Sequence, residues 1–209
     1  MKTLALLGFA AVAAASAARA QRVQAGAQIA FGDYREVSGD LHWRGSGPAA
    51  WGSITLRKLT LEGRFAKLDY KPVAGGSATE GFKATQLDGF ARYYLQNHIS
   101  AELGVTNRKA DPEFDAQSMA ALRIGARGAY DLGPGATIAL RGNYLAGAKF
   151  SGGGKAPFAF DIGLSLAVGA TSGRYHLTGD YDFQTAKRKT VTAAPLQQTL
   201  ARIGIAFGF

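Results

Sequence analysis

An alternation between apolar side chains and small or polar ones repeats along almost the whole chain, and it is clearest in the final ten residues. There Ala201, Ile203, Ile205, Phe207 and Phe209 alternate with residues that are mostly small. Successive side chains of a β-strand point to opposite faces of a sheet, so a period of two predicts a strand with one apolar face. A chain built from such strands must cover the apolar faces of all of them.

Ten segments of this kind follow the first twenty residues, with eight as the alternative count. The expected connections are short at 57–58, 96–98, 132–135 and 170–173, and long near 34–48, 71–81, 108–117, 147–157 and 184–196. An even number of strands, with short turns at one end and longer loops at the other, is typical of transmembrane barrels. We therefore expect an all-β fold: a single antiparallel up-and-down transmembrane β-barrel of about ten strands.

The last strand alternates and ends on an aromatic residue, with Phe207 and Phe209 on one face. This pattern resembles the C-terminal signal of bacterial outer-membrane β-barrel proteins. The wider resemblance, to small barrels of the OmpA/OmpX-like or "porin family" kind, covers the whole chain after residue 20. It implies insertion into the cell outer membrane after export through the periplasm, and a barrel-assembly machinery that reads Phe207 and Phe209.

The N-terminal twenty residues predict a cleaved secretory signal peptide. Lys2 precedes an apolar run from Leu4 to Ala18, and Ala18-Arg19-Ala20 is a small-x-small cleavage site. We expect residues 1–20 to be removed and residues 21–209 to form one barrel domain. The chain has no Cys, so neither disulfides nor thiolate metal sites are expected.

The chain is basic, which bears on its partners. The formal charge of +9 becomes +7 when Lys2 and Arg19 leave with the signal peptide. For an exported barrel, this charge predicts contact with outer-membrane lipid and lipopolysaccharide phosphates rather than with nucleic acid. The candidate contact is the Lys187-Arg188-Lys189 cluster with Lys149 and Lys155 in the long loops. A solvated loop is the alternative interpretation.

The apolar face carries no charge, which distinguishes a membrane barrel from a soluble one with an apolar cavity. Aromatic residues on this face fall at two heights, as expected for girdles at the two membrane interfaces. The predicted girdle residues are Phe31, Tyr93, Tyr130, Tyr144, Phe158, Phe160, Tyr175 and Phe183, with Phe207 and Phe209 at the level of the turns.

The opposite face collects charges of both signs, which would point into the barrel. The predicted lumen residues are Glu62, Arg64, Asp88, Arg92, Glu102, Arg123, Arg127, Arg141, Asp161, Asp180, Asp182 and Arg202. Unpaired buried charge is costly, so these groups predict a paired network that fills the lumen. The alternative is a narrow charged pore, in which Arg123, Arg127 and Arg141 could bind an anion.

One strand places a base, a hydroxyl and carboxylates on one face: His176, Thr178, Asp180 and Asp182. Such groups serve acyl transfer or peptide hydrolysis. The segment is faintly similar to the outer-membrane lipid A deacylases and to the omptin proteases, which makes His176, Thr178 and Asp180 weak catalytic candidates. A solvated or paired lumen histidine is the alternative. His42, His98 and His176 are scattered, so no metal site and no cofactor is expected.

The leading hypothesis is a non-enzymatic, monomeric outer-membrane barrel with a structural or surface-interaction role for its basic external loops. The second is a narrow passive pore for small solutes or ions. The third is an outer-membrane hydrolase that uses His176. These hypotheses differ in whether the lumen is closed, conducting or catalytic.

Overall fold

The computed structural model describes residues 22–37, 40–151, 154–169, 174–187 and 195–209. The expected signal peptide at 1–20, the expected turn at 170–173 and the residues Arg188 and Lys189 lie outside these ranges.

Ten long strands and one two-residue strand make up the fold. They are β1 (Arg22–Glu36), β2 (Leu41–Leu56), β3 (Leu59–Pro72), β4 (Phe82–Tyr94), β5 (Ile99–Ala110), β6 (Met119–Gly133), β7 (Ala136–Phe150), β8 (Gly154–Lys155), β9 (Phe158–Gly169), β10 (Tyr175–Lys187) and β11 (Pro195–Gly208). A 3-10 helix, Pro112–Gln117, lies between β5 and β6.

The ten long strands close into an antiparallel barrel in which each pairs with its neighbours along the chain. The first strand, β1, pairs with the last, β11, from Gln24 opposite Gly208 to Glu36 opposite Leu196. The short β8 only extends one end of β7. Closure gives every long strand two neighbours, which satisfies the backbone hydrogen bonds of a sheet in lipid. The prediction of a ten-stranded up-and-down barrel is confirmed.

Tight turns join the strands at one end of the barrel, here called the short-turn end. The chain reverses between Leu56 and Leu59, where Arg57 has a left-handed φ of 52°. Between β6 and β7 the turn uses Gly133 and Gly135, with φ of 140° and 83°. These values favour glycine, which has no Cβ to clash with the backbone. The other end, with the longer connections, is here called the long-connection end.

Large apolar side chains cover the middle of the outer surface. Leu87, Leu103, Leu140 and Ile203 are all more than half exposed, although they lie in regular strands of a closed sheet. In water, exposing so much apolar area would be unfavourable, whereas lipid solvates it. The outer surface is therefore that of a membrane-spanning barrel. Among the described residues, no helix is long and apolar enough to cross a bilayer.

The polarity of the two faces reverses towards the long-connection end. On β1 the outward residues change from Ile29 and Phe31 to Asp33 and Arg35, while the inward Tyr34 is fully buried. Past the membrane the outer face meets water, so it becomes charged and the inner face becomes an apolar core. The strands thus extend beyond the stretch that has an apolar outer face.

Because of this reversal, the strands are longer and the loops shorter than the sequence predicts. Most of the predicted loop at 34–48 is strand, because β1 continues to Glu36 and β2 begins at Leu41. The predicted loops at 108–117, 147–157 and 184–196 also begin too early, since β5 reaches Ala110, β7 reaches Phe150 and β10 reaches Lys187. In each case the apolar outward pattern stops at the membrane surface while the strand pairing continues.

Candidate functional site

Arginine and carboxylate side chains fill the middle of the lumen and form what is here called the ion layer. Strand alternation turns all of them inward, and most are almost completely buried. The members are Glu62, Arg64, Asp88, Arg92, Glu102, Arg123, Arg141, Asp161, Asp180, Asp182 and Arg202.

Glu62 and Glu102 hold the part of the ion layer nearer the short-turn end. The Nε of Arg64 lies 2.5 Å from one oxygen of Glu62, and the Nη2 of Arg92 lies 2.9 Å from the other. Arg92 also donates from Nε to Glu102 at 2.7 Å. Each carboxylate therefore neutralises arginines that would be costly to bury alone.

Asp182 of β10 contacts arginines on three other strands of the barrel. Its Oδ1 accepts from Arg141 and its Oδ2 from Arg202, both at 2.6 Å. Arg64 approaches the same carboxylate, with Nη1 at 3.8 Å from Oδ2. The three arginines belong to β7, β11 and β3, so this one carboxylate ties together strands that are not neighbours.

Asp88 and Asp161 complete the ion layer around Arg123, whose Nε is 2.9 Å from Asp161 and whose Nη2 is 3.4 Å from Asp88. Neutral side chains add hydrogen bonds to both carboxylates. Thr106 donates to Asp88 at 2.6 Å, and Asn143 donates to Asp161 at 3.0 Å. Buried charges are stable only when both pairing and hydrogen bonding are supplied, and Asp88 and Asp161 each receive both.

Phe90 lies at the centre of the ion layer. Its ring faces the guanidinium carbons of Arg141 at 4.8 Å, Arg123 at 4.9 Å, Arg92 at 5.5 Å and Arg64 at 5.6 Å. Cations over an aromatic ring within about 6 Å are attracted to its electron-rich face. The ring thus occupies the space between these four arginines. A charged side chain in the same place would need a counterion of its own, which the uncharged ring does not.

Between the ion layer and the long-connection end, the lumen is filled by what is here called the apolar layer. Each member is at most 3% exposed. The members are Tyr34, Trp43, Leu68, Tyr70, Phe82, Met119, Leu145, Phe150, Leu196 and Leu200. Phe114 of the 3-10 helix stacks on Phe82 with ring centroids 5.1 Å apart, so the helix caps this layer.

Arg108 crosses the apolar layer and is 1% exposed. It donates to the carbonyl of Gln117 at 2.9 Å and to the side chain of Gln198, and its guanidinium carbon lies 4.9 Å from the centre of the Tyr34 ring. Neutral acceptors and an aromatic face therefore hold this cation, and they also anchor the end of the 3-10 helix to the barrel wall.

On the other side of the ion layer the lumen is open and forms a cavity of about 380 Å³, here called the cup. Its lining reaches the short-turn end at Arg22, His98 and Gly135, and its floor includes Arg64 and Arg92 of the ion layer. Arg127 projects into the cup from β6. The described lumen is thus a dead-end cup beneath two filled layers.

The structure places the weak catalytic candidates in the wall of the cup, where Gln28 engages two of them. The side-chain amide of Gln28 donates to Thr178 at 3.1 Å and to Asp180 at 2.8 Å. Arg64 also approaches Asp180, at 3.6 Å. His176 lines the same cavity and packs beside Gly169, where an added Cβ would meet its ring. Thr178 and Asp180 are therefore held by a strand-bridging amide and a cation of the ion layer.

The other two histidines lie at opposite ends of the barrel. The ring of His98 is near the carbonyl of Ala129 at 3.0 Å and stacks on Tyr130 with centroids 5.6 Å apart. His42 lies 2.9 Å from Asp33 on the outer face above Phe31. Among the described residues, no group of three or more His, Asp or Glu could hold a metal ion.

Solved structures share this architecture. The outer membrane protease OmpT from Escherichia coli is 9% identical, with a TM-score of 0.53 over 90% of this chain and 97% of that one. The fold is that of an outer-membrane β-barrel. The neisserial surface protein NspA is 14% identical with a TM-score of 0.46 over 90% and 97% of the two chains. Ail, from Yersinia pestis, is 10% identical with a TM-score of 0.41 over 90% and 98%. No family model and no curated protein matches the sequence. The similarity to OmpT shows the fold, and the apolar outer band is that of a barrel that spans a membrane.

The aromatic residues expected in girdles lie on the outer face of this outer-membrane barrel. Near the short-turn end, Tyr175 and Phe207 contact each other with centroids 5.3 Å apart. Towards the other end, neighbouring strands place a continuous aromatic row on the surface. Its contacts run from Tyr144 to Phe158 at 6.4 Å, then to Phe160 at 5.6 Å and on to Phe183 at 6.3 Å.

Basic side chains point outward between these aromatics and the long-connection end. We call them the basic collar, which consists of Arg44, Lys67, Lys83, Lys109 and Lys149. All five are exposed, and Lys155 of β8 pairs with Lys149 in register. Lys187, at the end of β10, is also exposed, whereas Arg188 and Lys189 lie outside the described residues.

Sequence reasoning did not single out Phe90 or Arg108. Phe90 falls on the polar face of its strand, between Asp88 and Arg92. A single large aromatic residue among charged inward positions is the sequence signal that could have identified it. The sequence pattern predicts a loop that begins at Arg108. Continuing the alternation of Glu102 and Thr106 by one more step would have turned it inward.

Proposed function

We propose that the protein is a closed, non-enzymatic outer-membrane barrel whose long-connection end faces the cell exterior and contacts lipopolysaccharide. The observation that carries this proposal is the double filling of the lumen by the ion layer and the apolar layer. Short turns are periplasmic in bacterial outer-membrane barrels, which orients the cup towards the periplasm. A barrel of this size has little room beyond its own side chains, unlike the wide sixteen-stranded porins.

The closed lumen predicts that the refolded chain of residues 21–209 carries no current. In planar bilayers we expect no unitary current above the noise, because ions would have to displace paired charges and close-packed rings. A sixteen-stranded porin added to the same bilayer is the positive control, and a gel shift on heating shows that the protein is folded. Steady unitary currents from the folded protein would make it a narrow pore instead.

A hydrolytic role is not part of the proposal. Hydrolysis would need His176 to activate a nucleophile that is poised towards a substrate. The hydroxyl of Thr178 instead accepts a hydrogen bond from Gln28, and Asp180 is occupied by Gln28 and Arg64. These contacts support a structural role for the group, in which Gln28 joins β1 to β10 over the intervening β11.

The proposed lipopolysaccharide contact is the basic collar. Lys67, Lys83 and Lys109 lie on three adjacent strands and are exposed on the outer face, level with polar residues rather than with the apolar band. We expect the phosphates of lipid A at this height, because aromatic girdles lie at the headgroup level of the membrane. Cations near an anionic lipid surface contribute about 1 kcal/mol each.

Replacing Lys67, Lys83 and Lys109 by Gln tests this contact. We expect lipopolysaccharide to raise the melting temperature of the wild type in detergent, and its affinity to fall roughly 100-fold in the triple variant, since three such cations contribute about 3 kcal/mol. The control is Lys58→Gln, which removes an exposed lysine from the short-turn end. Equal lipopolysaccharide affinity in the wild type and the triple variant would contradict the proposal.

We also propose that the barrel is a monomer and that its last strand is the segment read by the assembly machinery. Ile203 and Ile205 face outward on β11, and Phe207 continues the same face beside Tyr175. Phe209 is 82% exposed, so its ring is accessible at the end of the strand. An outward row of apolar and aromatic side chains suits recognition before the strand pairs with β1.

A further inference from the structure

We propose that the cup is a binding site for a small solute that carries a carboxylate or phosphate group, with Arg127 as its anchor. The closed lumen of the proposed function would make the cup a dead end for such a solute, but the anion site itself rests on the lining of the cup and on Arg127. The cup and Arg127 do not depend on lipopolysaccharide contact or on the absence of catalysis.

Arg127 differs from the arginines of the ion layer because no carboxylate pairs with it in the part of the chain that the structure describes. Its one side-chain hydrogen bond there runs from Nη2 to the hydroxyl of Ser165, at 3.3 Å. Opposite it in register on β7 is Arg141, a second cation, which is itself neutralised by Asp182 at 2.6 Å. Like charges directly across a strand pair are unfavourable, so an anion at Arg127 would relieve this arrangement.

The charge of the cup favours an anion. Four arginines line it (Arg22, Arg64, Arg92 and Arg127), whereas its carboxylates are only Glu62 and Asp180. Arg64 and Arg92 are already paired with Glu62. Among the described residues, the arginines of the lining that make no ion pair are therefore Arg22 at the mouth and Arg127 further in. A cleft lined by one sign of charge concentrates ligands of the opposite sign.

The geometry of a guanidinium indicates the class of ligand. Arginine has five N–H donors in a rigid fork, and one of those of Arg127 is used by Ser165. The remaining donors match two oxygens of a carboxylate or a phosphate. A volume of about 380 Å³ lies within the range of small-molecule sites, so the cup holds more than a bare ion. Hydroxyls of Ser53, Thr55 and Thr60 line the wall and suit a polar organic body.

Trp51 provides a direct reporter, since it lines the cup and the only other tryptophan, Trp43, lies in the apolar layer. In a Trp43→Phe background, the fluorescence of Trp51 is titrated with glycerol phosphate, with succinate and with uncharged glycerol. We expect a saturable change with at least one of the two anions and none with glycerol. Titration calorimetry of the unsubstituted chain gives the same comparison without a change in the apolar layer.

Arg127→Gln is expected to weaken anion binding at least tenfold, whereas Arg127→Lys, which keeps the charge without the fork, gives a smaller loss. Arg127 has no ion pair among the described residues, so neither variant removes an ion pair of the ion layer. The matched control is Arg35→Gln, on the outer surface at the opposite end and outside both the cup and the basic collar, which should bind like the wild type. A preference for glycerol phosphate or for succinate tells a phosphate ester from a carboxylate.

Two results would overturn the inference: no saturable binding of either anion to the folded protein, or equal affinity in the wild type and in Arg127→Gln. Bilayer recordings on the same preparations separate this inference from the proposed function. Current together with Arg127-dependent binding would refute the closed lumen and leave the anion site standing. A silent bilayer without anion binding would support the closed lumen and refute the anion site.

Discussion

Asp182→Asn is expected to destabilise the barrel by about 3–5 kcal/mol, the cost of removing one partner from a buried ion pair. The substitution keeps the size of the side chain and one acceptor oxygen. It removes the charge that Arg141 and Arg202 both contact at 2.6 Å, and it brings an NH₂ group towards those cations. The free energy of unfolding would be measured by urea titration in lipid vesicles.

The matched control is Asp33→Asn, the same chemical change on the outer face. Asp33 also contacts two arginines, Arg35 at 2.9 Å and Arg44 at 3.1 Å, but these are exposed and screened by water. We expect a loss of about 0–1 kcal/mol there. Equal losses at the two positions would show that burial in the ion layer adds nothing to the pairing.

A second variant keeps this prediction testable if Asp182→Asn fails to fold. Adding Arg141→Leu removes one of the cations that Asp182 had neutralised and fills the space with an apolar side chain. Replacing both members of a buried pair is far less costly than removing one. The double variant should therefore be more stable than Asp182→Asn alone, although Arg202 keeps it below the wild type.

The barrel itself could be predicted from the sequence because it depends on a local signal. A period of two shows that a segment is a strand and which side chains share a face, so Arg64, Asp88 and Asp182 could be assigned to one side without any structure. The even count of segments and the alternating connection lengths then gave the topology. The ten strands of the structure confirm that part of the prediction.

The strand ends could not be predicted in the same way, since the solvent outside the barrel changes along each strand. Around Phe31 the outer face meets lipid and must be apolar, whereas at Asp33 and Arg35 it meets water. An apolar alternation that stops therefore resembles the start of a loop, as it did at 34–48. The signal that distinguishes the two is the reversed pattern, with Tyr34 and Trp43 buried between charged outward neighbours.

The side-chain contacts inside the lumen could not be predicted from the sequence either. Gln28 and Asp180 are 152 residues apart in the chain, and they meet because β1 and β10 flank β11 in the closed barrel. Contacts of this kind depend on the register of every strand between them and on side-chain rotamers. The sequence predicts that charges pair inside the barrel, but it does not show that Arg127 forms no ion pair with a carboxylate among the described residues.

Phe82→Ala is expected to loosen the long-connection end of the barrel and leave the ion layer intact. Phe82 is 2% exposed, stacks on Tyr70 with centroids 4.8 Å apart and contacts Trp43 at 5.5 Å. Truncating a buried phenylalanine costs about 3–5 kcal/mol. We expect amide hydrogen exchange at residues 67–72 and 82–85 to accelerate by roughly 10²–10⁴, while residues 87–94 keep their protection.

Phe158→Ala is the matched control, because it removes the same side chain from the outer surface, where Phe158 is 54% exposed. A half-exposed ring should cost roughly 1–2 kcal/mol, and exchange at 67–72 should not change. Uniform acceleration along β3 and β4 in Phe82→Ala would contradict the division of the lumen into separate layers.

The same Phe82→Ala variant also tests which layer closes the lumen. The ion layer beneath remains paired around Phe90, so we expect bilayers with this variant to stay silent even though the outer end is loosened. A steady current from Phe82→Ala, with none from the wild type, would make the apolar layer the only seal. The ion layer would then be a charged constriction through which small ions can pass once the outer end opens.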